Sequence, residues 1–173
     1  LSSIDNTTRW LLLLGLLVLG GCSGGDRVQL ADGSTMPVKA WNGRWLVINY
    51  WAEWCGPCRK EIPELNLLHS EREAGSAMVL GVNYDGLTGE KLLALKKEMG
   101  IEFPVLVADP RGRWGAEQPS VLPSTLIISP EGTLSKVLVG PQHYEDFMKA
   151  IGGGGGEGTG AGDTNAANGT GKP

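Results

Sequence analysis

At 173 residues, with 41% hydrophobic and 20% charged side chains, the chain has the length and composition of one globular domain with appendages. A net charge of −4 without any Lys/Arg cluster excludes the electrostatic footprint of a nucleic-acid binder. Three cysteines exclude a disulfide-stapled scaffold, and they divide into a lone Cys22 and a close pair, Cys55 and Cys58.

Taken in order, the first feature is the apolar run Trp10 to Leu19, with Arg9 before it and Gly20 and Gly21 after it. This is a secretory signal pattern, and it is short for a membrane-crossing helix, which needs about 20 apolar residues. Val28 to Leu30 and Met36 to Val38 predict a short hairpin around Asp32-Gly33, followed by a buried strand at Trp45 to Trp51. A helix is expected from about Cys55 to Glu73, a second buried strand at Ala77 to Tyr84, and a second helix at Glu90 to Met99. That helix carries Leu92, Leu93, Leu95 and Met99 near one face and is ended by Gly100. Phe103 to Val107 reads as a short extra strand. Thr125 to Ser129 and Leu134 to Val139 read as a hairpin around Pro130-Glu131-Gly132, and Tyr144 to Ile151 as a closing helix. Gly152 to Pro173 has no large apolar residue and is expected to be a disordered tail. Its glycine run lacks the Lys-Ser/Thr of a phosphate-binding loop.

The alternation of strands and helices predicts an α/β domain. Cys55 and Cys58, separated by two residues at a helix start, can close a small disulfide ring or present one thiolate to the positive end of the helix. Cys55 is expected to be the exposed attacking thiol with a lowered pKa, and Cys58, one turn inside, the shielded resolving thiol. Pro57 suits the first helical turn, where its missing N–H costs nothing. Structural zinc needs two further ligands, and the only histidines, His69 and His143, are solitary and read as structural. No metal is expected.

Tyr50-Trp51-Ala52-Glu53-Trp54-Cys55-Gly56-Pro57-Cys58 closely resembles the thioredoxin active site, and Pro63 falls where thioredoxins kink the active-site helix. The resemblance runs from about Val28 to Ile151, and the extra segment between Gly86 and Pro104 resembles the TlpA/ResA branch. It implies a thioredoxin fold, a central mixed β-sheet flanked by helices, with an N-terminal β-hairpin and a TlpA-type insertion. It also implies a thiol-disulfide oxidoreductase whose only redox group is the Cys55/Cys58 pair, without a cofactor. Leu122-Pro123 matches the proline that is cis in this family and sits across from the cysteines, leaving the backbone before it free to pair with an extended substrate. With them, Trp54, Gly56 and Pro57 are the implied substrate-binding residues. Trp54 reads as an apolar platform beside the thiol or, equally, as a core residue, and Trp51 as packing.

One position departs from thioredoxin: Asn49 stands where thioredoxins carry a buried Asp, and an amide cannot act as a base. The TlpA/ResA branch instead has a Glu three residues after the second cysteine, here Glu61, which helical spacing puts on the face of Cys58. The expectation is a catalytic, proton-handling Glu61. The alternative is a solvated surface Glu.

Leu19-Gly20-Gly21-Cys22 resembles the bacterial lipoprotein box, which implies cleavage before Cys22 and lipidation of that residue. Ser23, in place of Asp, implies outer-membrane sorting in a two-membrane bacterium. The expected organisation is a signal peptide over 1–21, a lipidated linker over 22–27, the thioredoxin-like domain over 28–151 and the Gly-rich tail over 152–173. The Gly56-Pro57 dipeptide resembles that of reducing thioredoxins. This implies a reductase of disulfides in exported proteins, oxidised apocytochrome c cysteines among them, fed by a membrane thiol donor of the CcdA or DsbD type. The runner-up is a thioredoxin-like copper chaperone holding metal with Cys55, Cys58 and His143. A peroxidase is disfavoured, because Trp51-Ala52-Glu53-Trp54 lacks the Pro and Thr/Ser such a site needs before its cysteine.

Overall fold

Asp32 makes the first turn: its carboxylate accepts both the backbone N–H of Ser34, at 2.9 Å, and its hydroxyl, at 2.6 Å. That Asx turn closes β1 (Arg27–Gln29) onto β2 (Thr35–Pro37) as an antiparallel pair. The computed structural model describes residues 26–72 and 77–152. After a 3₁₀ turn at Val38–Trp41 come β3 (Trp45–Trp51), α1 (Gly56–Arg72), β4 (Ala77–Asn83) and α2 (Gly89–Glu98). β5 (Val105–Leu106), a 3₁₀ turn at Arg111–Trp114, the hairpin β6 (Ser124–Ile128) and β7 (Leu134–Val139), and α3 (Tyr144–Gly152) complete the domain. The Cys22 lipid box, the signal run and residues 153–173 of the tail lie outside the described residues.

The strands form one five-stranded mixed sheet in the order β5-β4-β3-β6-β7. β3 pairs with β4 in parallel and with β6 antiparallel, so the strand leading to the cysteines lies at the centre. Its mostly apolar sequence, interrupted by Asn49, follows from that place, since both faces of a central strand are covered. On one face Val47 and Trp51 join Ile62, Leu65 and Leu68 of α1, Leu92 and Leu95 of α2, and Phe147 and Ile151 of α3. On the other, Leu46, Ile48 and Tyr50 pack with Trp41, and Val28, Leu30, Met36 and Trp114 lie against them. That face is roofed by the N-terminal hairpin and the two 3₁₀ turns. The hairpin is stitched to the sheet through β5: Ala31 N–H donates to Val105 O at 2.9 Å and Val107 N–H to Gln29 O at 3.0 Å.

The element limits differ from the expected ones mainly at β5, which is two residues long. Phe103 is buried as packing instead, and Pro104, unable to donate to a ladder, still accepts from Gly81 N–H at 2.8 Å. α2, the element inside the inserted segment, ends as expected at Gly100. With φ of 69°, that residue lets its own N–H reach Lys97 O and the N–H of Ile101 reach Lys96 O.

Candidate active site

Cys55 occupies the N-cap of α1. Its backbone carbonyl accepts from Arg59 N–H at 3.4 Å, and its Sγ accepts the N–H of Cys58 at 3.1 Å, the bond a capping side chain makes with the third residue of a helix. The same N–H groups that a Ser or Asp would satisfy are thus turned on a sulfur atom, where they favour a thiolate. The two cysteines are joined in a disulfide. The expectation that Cys55 stands exposed is corrected for this oxidised form: Cys55 is 3% exposed and Cys58 1%. In this form the Cys55 sulfur lies against the first turn of the helix, and Gly56 and Pro57 are the exposed residues of the ring.

Trp54 is 66% exposed, which removes the core reading. Its indole N–H donates to the Asp85 carboxylate at 3.2 Å, and its ring meets Tyr84 edge-on at 6.2 Å between centroids. An aromatic face is therefore held at the protein surface one residue before Cys55. Trp51 is fully buried packing, as expected.

The Leu122–Pro123 peptide bond is cis. Ser124 pairs with Tyr50 across the β3/β6 ladder, so Pro123 lies beside the end of β3 from which the chain turns to Cys55. Leu122 is half-buried between the two cores, and the carbonyl of Pro123 is taken by Gly140 N–H at 2.9 Å.

Glu61 lies one helical turn after Cys58 and is 2% exposed, which overturns the solvated alternative. Its Oε2 accepts from Asn49 Nδ2 at 2.7 Å and its Oε1 from the backbone N–H of Gln142 at 3.0 Å. Burial pushes its pKa up to about 7, against the opposing pull of those two donors. An acid that titrates near neutrality, buried beside a cysteine pair, can hold or release a proton under the conditions in which thiols exchange.

Asn49 escaped the sequence reading except as a missing base. It stands on the helix-facing side of β3, donates also to Thr125 Oγ1 at 3.0 Å, and leaves its own Oδ1 buried without a partner. The signal was the alternation of β3, which puts Asn49 on the same side as Val47 and Trp51. Its position opposite Thr125 depends on strand register. Gln142, acting through its main chain, carries no sequence signal at all.

The copper-holding set is not assembled. Among the described residues no three His, Cys, Asp or Glu side chains are grouped to hold a metal ion. The His143 side chain is 84% exposed, with Nδ1 3.6 Å from Glu64 Oε1. His69 is half-buried on α1, away from the cysteine pair in sequence by three turns.

Residues 27–137 match the AhpC/TSA family. The thiol-disulfide oxidoreductase ResA of Bacillus subtilis is 30% identical over 133 residues, covering 73% of this chain and 68% of that protein. The thiol:disulfide interchange protein DsbE homologue of Paracoccus denitrificans is 38% identical over 105 residues, covering 58% of this chain and 54% of that one. Among solved structures, a thioredoxin-family thiol:disulfide interchange protein from Chlorobium tepidum superposes with a TM-score of 0.62 at 26% identity, over 73% of this chain and 90% of that one.

Proposed function

Because the chain belongs to the AhpC/TSA family and is a thiol-disulfide oxidoreductase of the ResA type, we propose that it donates electrons from a Cys55/Cys58 dithiol to disulfides of exported proteins. The observation that carries this reading is the cysteine pair at the N-terminal end of α1 with a buried carboxyl group one turn further on. In the reduced protein Cys55, favoured as thiolate by the helix end, attacks one sulfur of the substrate disulfide. The substrate S–S bond breaks, and its other sulfur leaves and takes a proton from solvent. Cys58 then passes its proton to Glu61 and attacks Cys55 Sγ. The mixed disulfide breaks, the Cys55–Cys58 bond forms, and the second substrate sulfur leaves as a thiolate that takes up the proton Glu61 releases. Two electrons have moved from the protein dithiol to the substrate. Trp54, Gly56, Pro57, Leu122 and Pro123 form the surface against which the substrate chain lies.

The apolar run ending at Cys22 supports an extracytoplasmic protein held to a membrane by lipid on that cysteine, with Ser23 favouring the outer membrane. In an oxidising compartment the spent disulfide needs a reductant, and a membrane thiol protein of the CcdA or DsbD type fits that need. Oxidised apocytochrome c cysteines and disulfides of other exported proteins are the substrates that fit this reading. In the test, Cys58→Ser accumulates mixed disulfides through Cys55, whereas Cys55→Ser traps few; equal trapping by both reverses the assignment. A reduction potential near the roughly −270 mV of thioredoxin is expected, and one near about −120 mV makes the protein an oxidant instead. Cys22→Ser is expected to abolish fatty-acid labelling and membrane retention.

A further inference from the structure

We propose that the Asn49 side-chain amide turns end for end as Glu61 gains and loses its proton, so that one residue supports both states of the acid. The proposal deepens the reading above and rests on Glu61 exchanging a proton with Cys58.

Asn49 Nδ2 donates to Glu61 Oε2 at 2.7 Å and to Thr125 Oγ1 at 3.0 Å, while Oδ1 is buried without a partner, an arrangement that suits an ionised Glu61. Protonation of Glu61 at Oε2 turns that oxygen from acceptor into donor and sets two donors face to face, an arrangement that costs the desolvation of both. Oε1 offers no escape, since it faces the fixed backbone N–H of Gln142 at 3.0 Å. An amide is nearly symmetric in shape, so a half-turn about its terminal bond exchanges Oδ1 and Nδ2 without displacing any neighbour. Oδ1 then lies where Nδ2 lay and accepts from the Glu61 O–H. It also accepts from Thr125, whose hydroxyl can accept or donate as needed. The unpaired atom is an acceptor before the turn and a donor after it, so no additional polar group is left unpaired.

This gives Asn49 a positioning role that neither Asp nor an aliphatic side chain reproduces: Asp adds a second buried acid, and an aliphatic residue supports neither state. The groups that contact the Glu61 carboxyl are Asn49 from β3 and the Gln142 N–H from the loop before α3, and Cys58 stands one turn earlier on the same helix. Glu64, one turn later, takes the Tyr144 N–H at 3.0 Å and lies by His143.

The test follows the oxidised full chain, labelled with ¹⁵N and ¹³C, by NMR across about pH 5 to 9. The Glu61 carboxyl carbon reports protonation, and the coupling across the hydrogen bond from Asn49 Nδ2 to Glu61 Cδ reports the amide. The coupling is expected above the Glu61 midpoint and absent below it. Persistence of the coupling once Glu61 is protonated overturns the proposal, as does a Glu61 that stays ionised throughout. Asn49→Leu is expected to move the Glu61 midpoint upward by roughly one pH unit, because the ionised acid loses a stronger bond than the neutral one. An unmoved midpoint overturns the coupling of the two residues. Failure of the underlying reading looks different: Glu61→Gln would leave turnover unchanged while the amide coupling still vanished on protonation.

Discussion

At the scale of single residues, Glu61 combines two effects that usually oppose function and stability. Burial raises its pKa from 4.5 to about 7, so the folded protein prefers it protonated. Stability from this group is therefore full below the unfolded value and is lost as pH rises through the folded one, the window being about pH 4.5 to 7. Relative to wild type, Glu61→Gln is expected to gain on the order of 3 kcal/mol between pH 4 and pH 8 in denaturant unfolding of the oxidised forms. A constant difference across that range would mean that Glu61 stays ionised in the fold. Trp54 is the opposite case, a large apolar side chain that burial does not explain. Trp54→Ala is expected to change stability by no more than about 0.5 kcal/mol while raising KM for a protein disulfide, since the loss falls on contact with substrate. Its location one residue before Cys55 was legible in the sequence. The Asp85 carboxylate and the Tyr84 edge that hold it were not, because they arrive from the far end of β4.

At the scale of elements, the sheet is built by letting β3, β4 and β5, with the segment leading into β5, approach closely. Gly81 of β4 is where that approach is tightest: a Cβ there would lie 3.0 Å from Phe103 Cε2, 3.0 Å from Trp51 Nε1 and 3.1 Å from Val105 Cγ2. Trp51 and Phe103 are fully buried, so neither ring has a free end to retreat. Gly81→Ala is expected to destabilise by about 1 to 3 kcal/mol, measured by equilibrium unfolding, the usual cost of overpacking a dense core. On the other face, Trp41 donates its indole N–H to Met36 Sδ at 3.3 Å, packs on Trp114 at 6.1 Å between centroids and lies under the Arg113 guanidinium. Trp41→Ala is expected to cost about 3 to 5 kcal/mol. Its kcat under stabilising conditions should match wild type, because this core lies on the side of the sheet away from α1. The expected strands and helices were legible as elements because each has a run of one period. That the N-terminal hairpin and two 3₁₀ turns, with no α-helix among the described residues, roof one face could not be read from periodicity, since an apolar residue carries no label for the face it will meet.

At the scale of the whole molecule, the described residues contain two cores on either side of one sheet and include every residue of the proposed redox site. A fragment spanning residues 26–152 is therefore expected to unfold in a single cooperative transition and to reduce a model disulfide at the rate of the full chain. Two separated transitions would show that the two faces fold independently. The sequence by itself determined the cysteine pair, its place at a helix start, the α/β order and the proline before β6, because each is local chemistry: a spacing, a cap, a period or a fixed φ. It also put Glu61 one turn from Cys58. What only the tertiary structure decided is the environment of that acid. Whether a carboxyl group three residues along a helix is solvated or buried depends on what packs over it. Here that is Asn49 from the central strand and Gln142 from the far end of the domain, 12 and 81 residues away in sequence. Desolvation is a property of the assembled neighbours, and no single segment of sequence contains it.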